Sequence, residues 1–326
     1  MRMSDIFIQK CMICLFDAGK VQGKLTEISV DPGEEQGRFI CQLVLKYLED
    51  INAKTAPFEE DSFLGEMLTQ EEPFDRFAAY AAQEIHHLME NNPEIQQGTG
   101  IFIDALLGEE ENLIFFKLNY QAGFICQSDE EGMTAWQRST RLLPAAGKKL
   151  SEYLYLNLAR QTVRISDYTC YVDAEPMNYL AAKICQLEPK QSEKETVEAI
   201  TDAIAATIEE KYAERIPEKI LASKKEVARI AEEKGSLAAE DITAAVFADN
   251  EEAADRYREK VVEERLPKEP VPISGKMEKR LQKKQKIVTN SGIEILVPLE
   301  FLQDETVFEY VRDEEGRVCI MIKGVQ

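Results

Sequence analysis

Leu113-Ile-Phe-Phe116 places apolar side chains at successive positions. In an extended chain neighbouring side chains point to opposite faces, so this run needs cover on both sides and reads as a central strand. It lies in the most strand-rich part of the chain, residues 100–172. Ile101–Leu107 and Leu113–Leu118 flank Gly108-Glu-Glu-Glu-Asn112, the pattern of a hairpin with a loop longer than two residues. Phe124–Gln127, Tyr153–Leu158, Thr162–Ser166 and Thr169–Val172 are expected to extend the sheet, and Gly98-Thr-Gly100 reads as a loop before it. Asp5–Phe16 is a further apolar run, and Lys24–Val30 looks like a second strand after Gly19 and Gly23. Between these lie helices. Phe39, Ile40, Leu43, Val44, Tyr47, Leu48 and Ile51 recur at helical spacing within 34–51, Phe63, Leu64, Met67 and Leu68 form a shorter patch, and a third helix starts at Pro73 and buries Phe74, Phe77, Ala81, Ile85, Leu88 and Met89. Helices ahead of hairpin-connected strands predict an α+β fold with a largely antiparallel sheet, not a doubly wound one.

Beyond residue 175 the pattern changes. Pro176–Leu187 reads as helical, and after Pro189 the composition turns to Ala, Glu and Lys. Val197, Ile200, Ile204 and Ile208 make one apolar stripe; Pro217 opens a second helix, closed by Gly235; Ile242, Val246 and Phe247 mark a third, and 251–266 a highly charged fourth. Pro267, Pro270 and Pro272 read as a linker. The division expected is an α+β domain over 1–188, a helical segment over 189–268, and a basic stretch with a C-terminal β hairpin over 269–326.

That last part holds the densest run of positive charge: Lys276, Lys279, Arg280, Lys283, Lys284 and Lys286, interrupted by Glu278. Two runs of period-two alternation follow, Ile293/Ile295/Val297 and Val318/Ile320/Ile322, with turn chemistry at Asp313-Glu-Glu-Gly316. Gln285-Lys-Ile-Val-Thr-Asn-Ser-Gly-Ile-Glu-Ile-Leu-Val-Pro298 and Asp313-Glu-Glu-Gly-Arg-Val-Cys-Ile-Met-Ile-Lys323 resemble the C-terminal end of the 37-kDa nucleoid-associated protein family of bacteria, the NdpA-like proteins. Length and element order are similar across most of the chain, least so between about 190 and 265. The resemblance implies a cytoplasmic protein associated with the bacterial chromosome.

Charge restricts how such a protein could meet DNA. Among 326 residues, 39 Lys and Arg stand against 60 Asp and Glu, a net charge of −21. Residues 1–190 carry a net of −13, residues 191–268 a net of −7, and residues 269–326 only −1. Such a field repels phosphate at long range but is screened beyond about 8 Å in physiological salt, so nucleic-acid contact would have to be local. If Ser274–Gln285 is helical, Met277 and Leu281 anchor one side while Lys276, Arg280, Lys283 and Lys284 reach outward to neutralise phosphate oxygens. The competing reading is a solvated helix end whose lysines pair with the protein's own acids. Arg138, Arg141, Lys148 and Lys149 form a second, weaker patch next to Trp136; the alternative is that they flank a strand and its loop.

Other chemistry is sparse. Cys11-Met-Ile-Cys14 is the only Cys-x-x-Cys; zinc usually takes two such pairs, and on a strand this spacing sends the thiols to opposite faces. The seven cysteines read as reduced core thiols. His86 and His87 diverge by about 100° on a helix and cannot jointly chelate one ion, which favours a structural role. No nucleophile elbow or Walker loop is present. Glu59–Asp61, Glu109–Glu111 and Asp313–Glu315 could bind a divalent cation, but read better as solvated loops. Neither a secretory h-region nor a membrane span is expected. The reading favoured is a non-enzymatic nucleoid-associated protein without cofactor that contacts double-stranded DNA through backbone phosphates, with a homodimer adding avidity. The alternatives are a protein-interaction scaffold recruited by a DNA-processing partner and, more remotely, a metal-dependent nuclease or hydrolase.

Overall fold

The computed structural model describes residues 2–17, 24–128, 134–172, 175–214, 216–283, 285–288, 292–298, 301, 304, 306–313 and 318–324, with the backbone alone at 127, 285–288, 312 and 318. Two compact units divide the chain, Met1–Gln191 and Ser192–Gln326.

In the first unit the elements run β1 (Ile6–Phe16), β2 (Thr26–Glu27), α1 (Glu35–Leu48), β3 (Lys54–Pro57), α2 (Phe63–Leu68), α3 (Pro73–Asn91), β4 (Gly98–Leu107), β5 (Glu110–Asn119), β6 (Gln121–Ser128), β7 (Thr134–Leu142), β8 (Tyr153–Asn157), β9 (Thr162–Ser166), β10 (Thr169–Val172) and β11 (Glu175–Asn178), ending in a π-helical turn at Leu180–Cys185. Seven strands form one sheet in the order β2-β1-β4-β5-β8-β9-β3, every pair antiparallel. The fold is α+β, as the element pattern predicts. β5 is the middle strand, and it is covered on both faces because its apolar run leaves no solvent side. Leu113 and Phe115 join Phe102, Leu154, Leu156 and Cys14 beneath α3 and the π-helical turn. Ile114, Phe116 and Leu118 join Ile101, Ile103, Tyr153, Tyr155 and Cys11 beneath α1. Cys11 and Cys14 therefore lie in different layers, as their spacing requires, and burial pushes the Cys11 thiol up to about 12 and Cys14 to about 11. Tyrosine hydroxyls fasten α1 to β8 and to the loop that precedes it. Tyr155 donates to the Val44 carbonyl at 2.8 Å, and Tyr47 donates to the Lys148 carbonyl at 3.0 Å while accepting from the Leu150 N–H at 2.6 Å.

Several expectations are corrected. The β4–β5 turn has two residues, because Leu107 pairs with Glu110 and Gly108, at φ +66°, fills the first central position that a type II′ turn reserves for glycine. Gly98-Thr-Gly100 belongs to β4, not to a loop: a Cβ at Gly100 would lie 2.5 Å from the Phe16 ring, so glycine is what lets the aromatic layer close over this strand. β6 does not join the large sheet, since both edges of β5 are taken by β4 and β8; among the described residues it pairs only with β7. β10 likewise pairs only with β11, which occupies Glu175–Asn178 where a helix is expected. Helical turns begin after it, where Asp167 accepts N–H bonds from Tyr168 and Ala181 at 2.8 Å each. The Lys24–Val30 strand shortens to two residues.

The second unit runs α4 (Glu193–Lys211), α5 (Ile216–Lys234), β12 (Ser236–Leu237), α6 (Ala239–Val246), α7 (Glu251–Glu263), β13 (Val271–Pro272), α8 (Gly275–Gln282), β14 (Gln285–Val288), β15 (Glu294–Val297), β16 (Phe308–Arg312) and β17 (Val318–Ile322). Val197, Ile200, Ile204 and Ile208 form the buried stripe of α4. A reciprocal cap starts that helix, Ser192 accepting from the Glu195 N–H and the Glu195 carboxylate accepting from the Ser192 N–H. Arg256 and Lys260 of α7 bond the Glu210 carboxylate, which holds it down at about 2. The proline-rich connection is not free chain throughout, because β13 pairs with β12. β14 pairs with β15 and β16 with β17, and Ile295, Val297, Phe308, Tyr310 and Ile320 pack with Leu221 of α5. Glu314–Gly316 of the expected turn lie outside the described residues.

Candidate nucleic-acid interface

The basic stretch begins as a capped helix. Ser274 accepts the Met277 N–H at 3.3 Å, while its own N–H and hydroxyl donate to the Glu193 carboxylate at 2.6 and 2.8 Å. Met277 is buried and Leu281 half-buried, so α8 is held by the face the sequence indicates. Lys276, Lys279 and Arg280, at positions i, i+3 and i+4, share the adjoining exposed flank, and exposed Lys283 follows at the helix end. Lys279 and Arg280 in the last turn complement the negative end of the helix dipole.

Arg280 is engaged within the protein. Arg280 lies 3.0 Å from Glu198 of α4, with both side chains half exposed, so water and phosphate can compete for it. Lys284 lies outside the described residues; Lys286 is placed on β14 opposite Leu296, with its side chain undescribed.

The weaker patch divides. Arg141 pairs with Asp17 at 3.0 Å, and the Lys148 ammonium donates to Gln121 at 3.0 Å. Lys149 and Arg138 are exposed, and among the described residues no carboxylate pairs with either. Arg138 belongs to β7, where it faces Phe124 across the ribbon, and Trp136 faces Cys126. Phe124 and Trp136 are 67% and 78% exposed, which is unusual for the largest apolar side chains. Phe124 was not marked by the sequence pattern, since a strand inside the sheet would have covered it.

A second cluster of ionisable groups is closed to solvent. The Lys117 ammonium lies 2.8 Å from Glu152 and donates to Asn119 at 2.7 Å, and the Tyr179 hydroxyl donates to Glu152 at 2.5 Å. The Lys117 and Glu152 side chains are 0% and 2% exposed, so no substrate reaches them. Burial lowers the Lys117 pKa and raises that of Tyr179 well above the usual phenol range. His86 is buried, His87 is exposed, and both line an open cavity with Glu84 and Glu90. Among the described residues no cluster of three His, Cys, Asp or Glu side chains is placed to hold a metal ion, and no helix is long and apolar enough to cross a membrane.

The family described as Nucleoid-associated protein YejK matches residues 19–326. No curated protein matches the chain. With nearly its whole length matched, from before β2 to the C-terminal hairpins, the chain belongs to the nucleoid-associated protein YejK family.

Proposed function

We propose that this protein works at the bacterial nucleoid, in the cytoplasm, as a non-enzymatic protein that touches duplex DNA through backbone phosphates. The observation that carries the reading is the exposed cationic flank of α8, where Lys276, Lys279 and Arg280 are presented together on a helix anchored by Met277 and the Ser274–Glu193 bonds. Ammonium and guanidinium groups there displace condensed counterions from the duplex without reading bases. Lys283, Lys284 and Lys286 continue the run in sequence. A homodimer would present two such flanks and multiply a weak contact by avidity.

The test is the salt dependence of binding to a labelled duplex of arbitrary sequence. Four to six neutralised phosphates correspond to a slope of roughly −4 to −5 in log affinity against log salt. Changing the six basic residues to Gln should flatten the slope and weaken binding equally on unrelated sequences. A slope near zero in the unchanged protein, or unchanged binding by the variant, removes α8 from the mechanism.

A second reading is favoured by the engagement of Arg280 with Glu198 in a chain of net charge −21. It makes the protein a scaffold brought to the chromosome by a DNA-processing partner. Purified protein would then fail to shift DNA even at low salt, yet would co-purify with that partner from nuclease-treated extract.

A further inference from the structure

Among the described residues, the ribbon formed by β6 and β7 is joined to no other strand. A two-stranded ribbon in water is at best marginally stable by itself, yet this one keeps a whole face uncovered. Cross-strand pairing of Phe124 with Arg138 and of Cys126 with Trp136 puts these four on the same side, and all are exposed. The rings of Phe124 and Trp136 stand 6.0 Å apart, inclined at 43°. Arg141 lies at the register shift opposite Gln121–Gly123 and is engaged by Asp17 at 3.0 Å, whereas Arg138 stands directly across from Phe124 and is the cation that accompanies the rings.

The composition of the ribbon narrows what could cover that face. Residues 121–128 and 134–142 contain two arginines and no Asp or Glu, within a chain that has 60 acids. Open π-faces, a guanidinium and hydroxyls without a carboxylate suit a polyanion that carries planar rings. Duplex DNA keeps its bases stacked inside, whereas an unpaired strand exposes them, and every base has a face to stack. We propose that this face is a stacking platform for single-stranded nucleic acid, with Trp136 and Phe124 each taking a base and Arg138 the phosphate between or beside them. The connecting residues 129–133 contain three acids, so the strand crosses the ribbon's face and avoids its tip. This surface and ligand go beyond the duplex contact proposed for α8.

Trp136 is the sole tryptophan, which makes its emission a direct report from the face. The full-length protein is titrated with an oligothymidylate of about 16 nucleotides, the upper end of the usual site size, and with a duplex of the same length. The expected result is saturable quenching by the oligothymidylate and little by the duplex. Phe124→Ala should shift the half-point roughly 5- to 150-fold, the loss typical of one stacking aromatic. Arg138→Gln should weaken binding with a smaller salt slope, and it keeps the proposal falsifiable should Phe124→Ala disturb the ribbon. Replacing the six basic residues of the C-terminal stretch should leave the quenching intact, so failure of the α8 contact and failure of this one are read separately. The proposal is overturned by absent quenching, by equal quenching with duplex, or by insensitivity to both substitutions. A Trp136 emission that changes with protein concentration alone also overturns it, and assigns the face to a second copy of the chain.

Discussion

Lys117 is the residue where burial and charge meet most sharply. Its ammonium is wholly enclosed against Glu152 and Asn119, and Tyr179, Asn119 and the Ser151 hydroxyl donate to the Glu152 carboxylate. Such a pair contributes little net stability against a hydrophobic replacement, but breaking it strands the surviving charge. Lys117→Met is expected to cost about 3–5 kcal/mol, read as a lower urea midpoint at unchanged m-value. Adding Glu152→Gln, which removes the stranded charge and still accepts from Tyr179, should restore part of the loss. Asp167 supplies a pH signature in the same region. Burial lifts its carboxyl from 3.8 to about 7, against the N–H bonds of Ala181 and Tyr168 that favour the anion. The folded state therefore holds a proton between those values that the unfolded chain has released. The stabilising contribution is complete below about pH 4 and is lost as pH rises to about 7. Urea midpoints measured from pH 5 to 8 should fall more steeply in the parent than in Asp167→Asn.

At the scale of elements, the cap of α8 matters as much as its charges. Ser274→Ala removes the acceptor for the Met277 N–H and a donor to Glu193. The expected cost is about 1 kcal/mol, seen as faster amide hydrogen exchange through α8 and weaker duplex binding with every lysine still present. This helix was legible because Met277 and Leu281 carry a local signal, an apolar pair at i and i+4; its Ser274 cap was found only in the structure. Leu113–Phe116 was legible for the same kind of reason, since a run with no polar side has only one place in a sheet. The misses were matters of competition between elements. Nothing local in Phe124–Gln127 says that both neighbours of β5 are already taken, so β6 must leave the sheet. Nothing in Glu175–Asn178 announces β10 as a partner. The exposed aromatic face was hidden by that error, and the pairing of Arg280 with Glu198 depends on how two distant helices meet.

The whole molecule adds a constraint that no single element carries. On the proposed reading, a body of net charge −21 would approach a polyanion by way of a small cationic flank, so that repulsion and attraction would act over different distances. At about 0.01 M salt the screening length is about 30 Å, and the duplex feels the acidic body as well as α8; at about 0.15 M it shrinks to about 8 Å and the local contact dominates. Adding salt in the low range therefore relieves repulsion while it weakens the phosphate contact, and the two partly cancel. In the higher range only the weakening remains. A plot of log affinity against log salt should thus be shallow at first and steepen towards the limiting slope of roughly −4 to −5, where a uniformly basic protein gives a straight line. Fluorescence anisotropy of a labelled duplex across that range measures the curve directly. A straight line of the limiting slope down to the lowest salt would mean that the acidic surface is too far from the bound duplex to be felt, and that α8 meets DNA independently of the body that carries it.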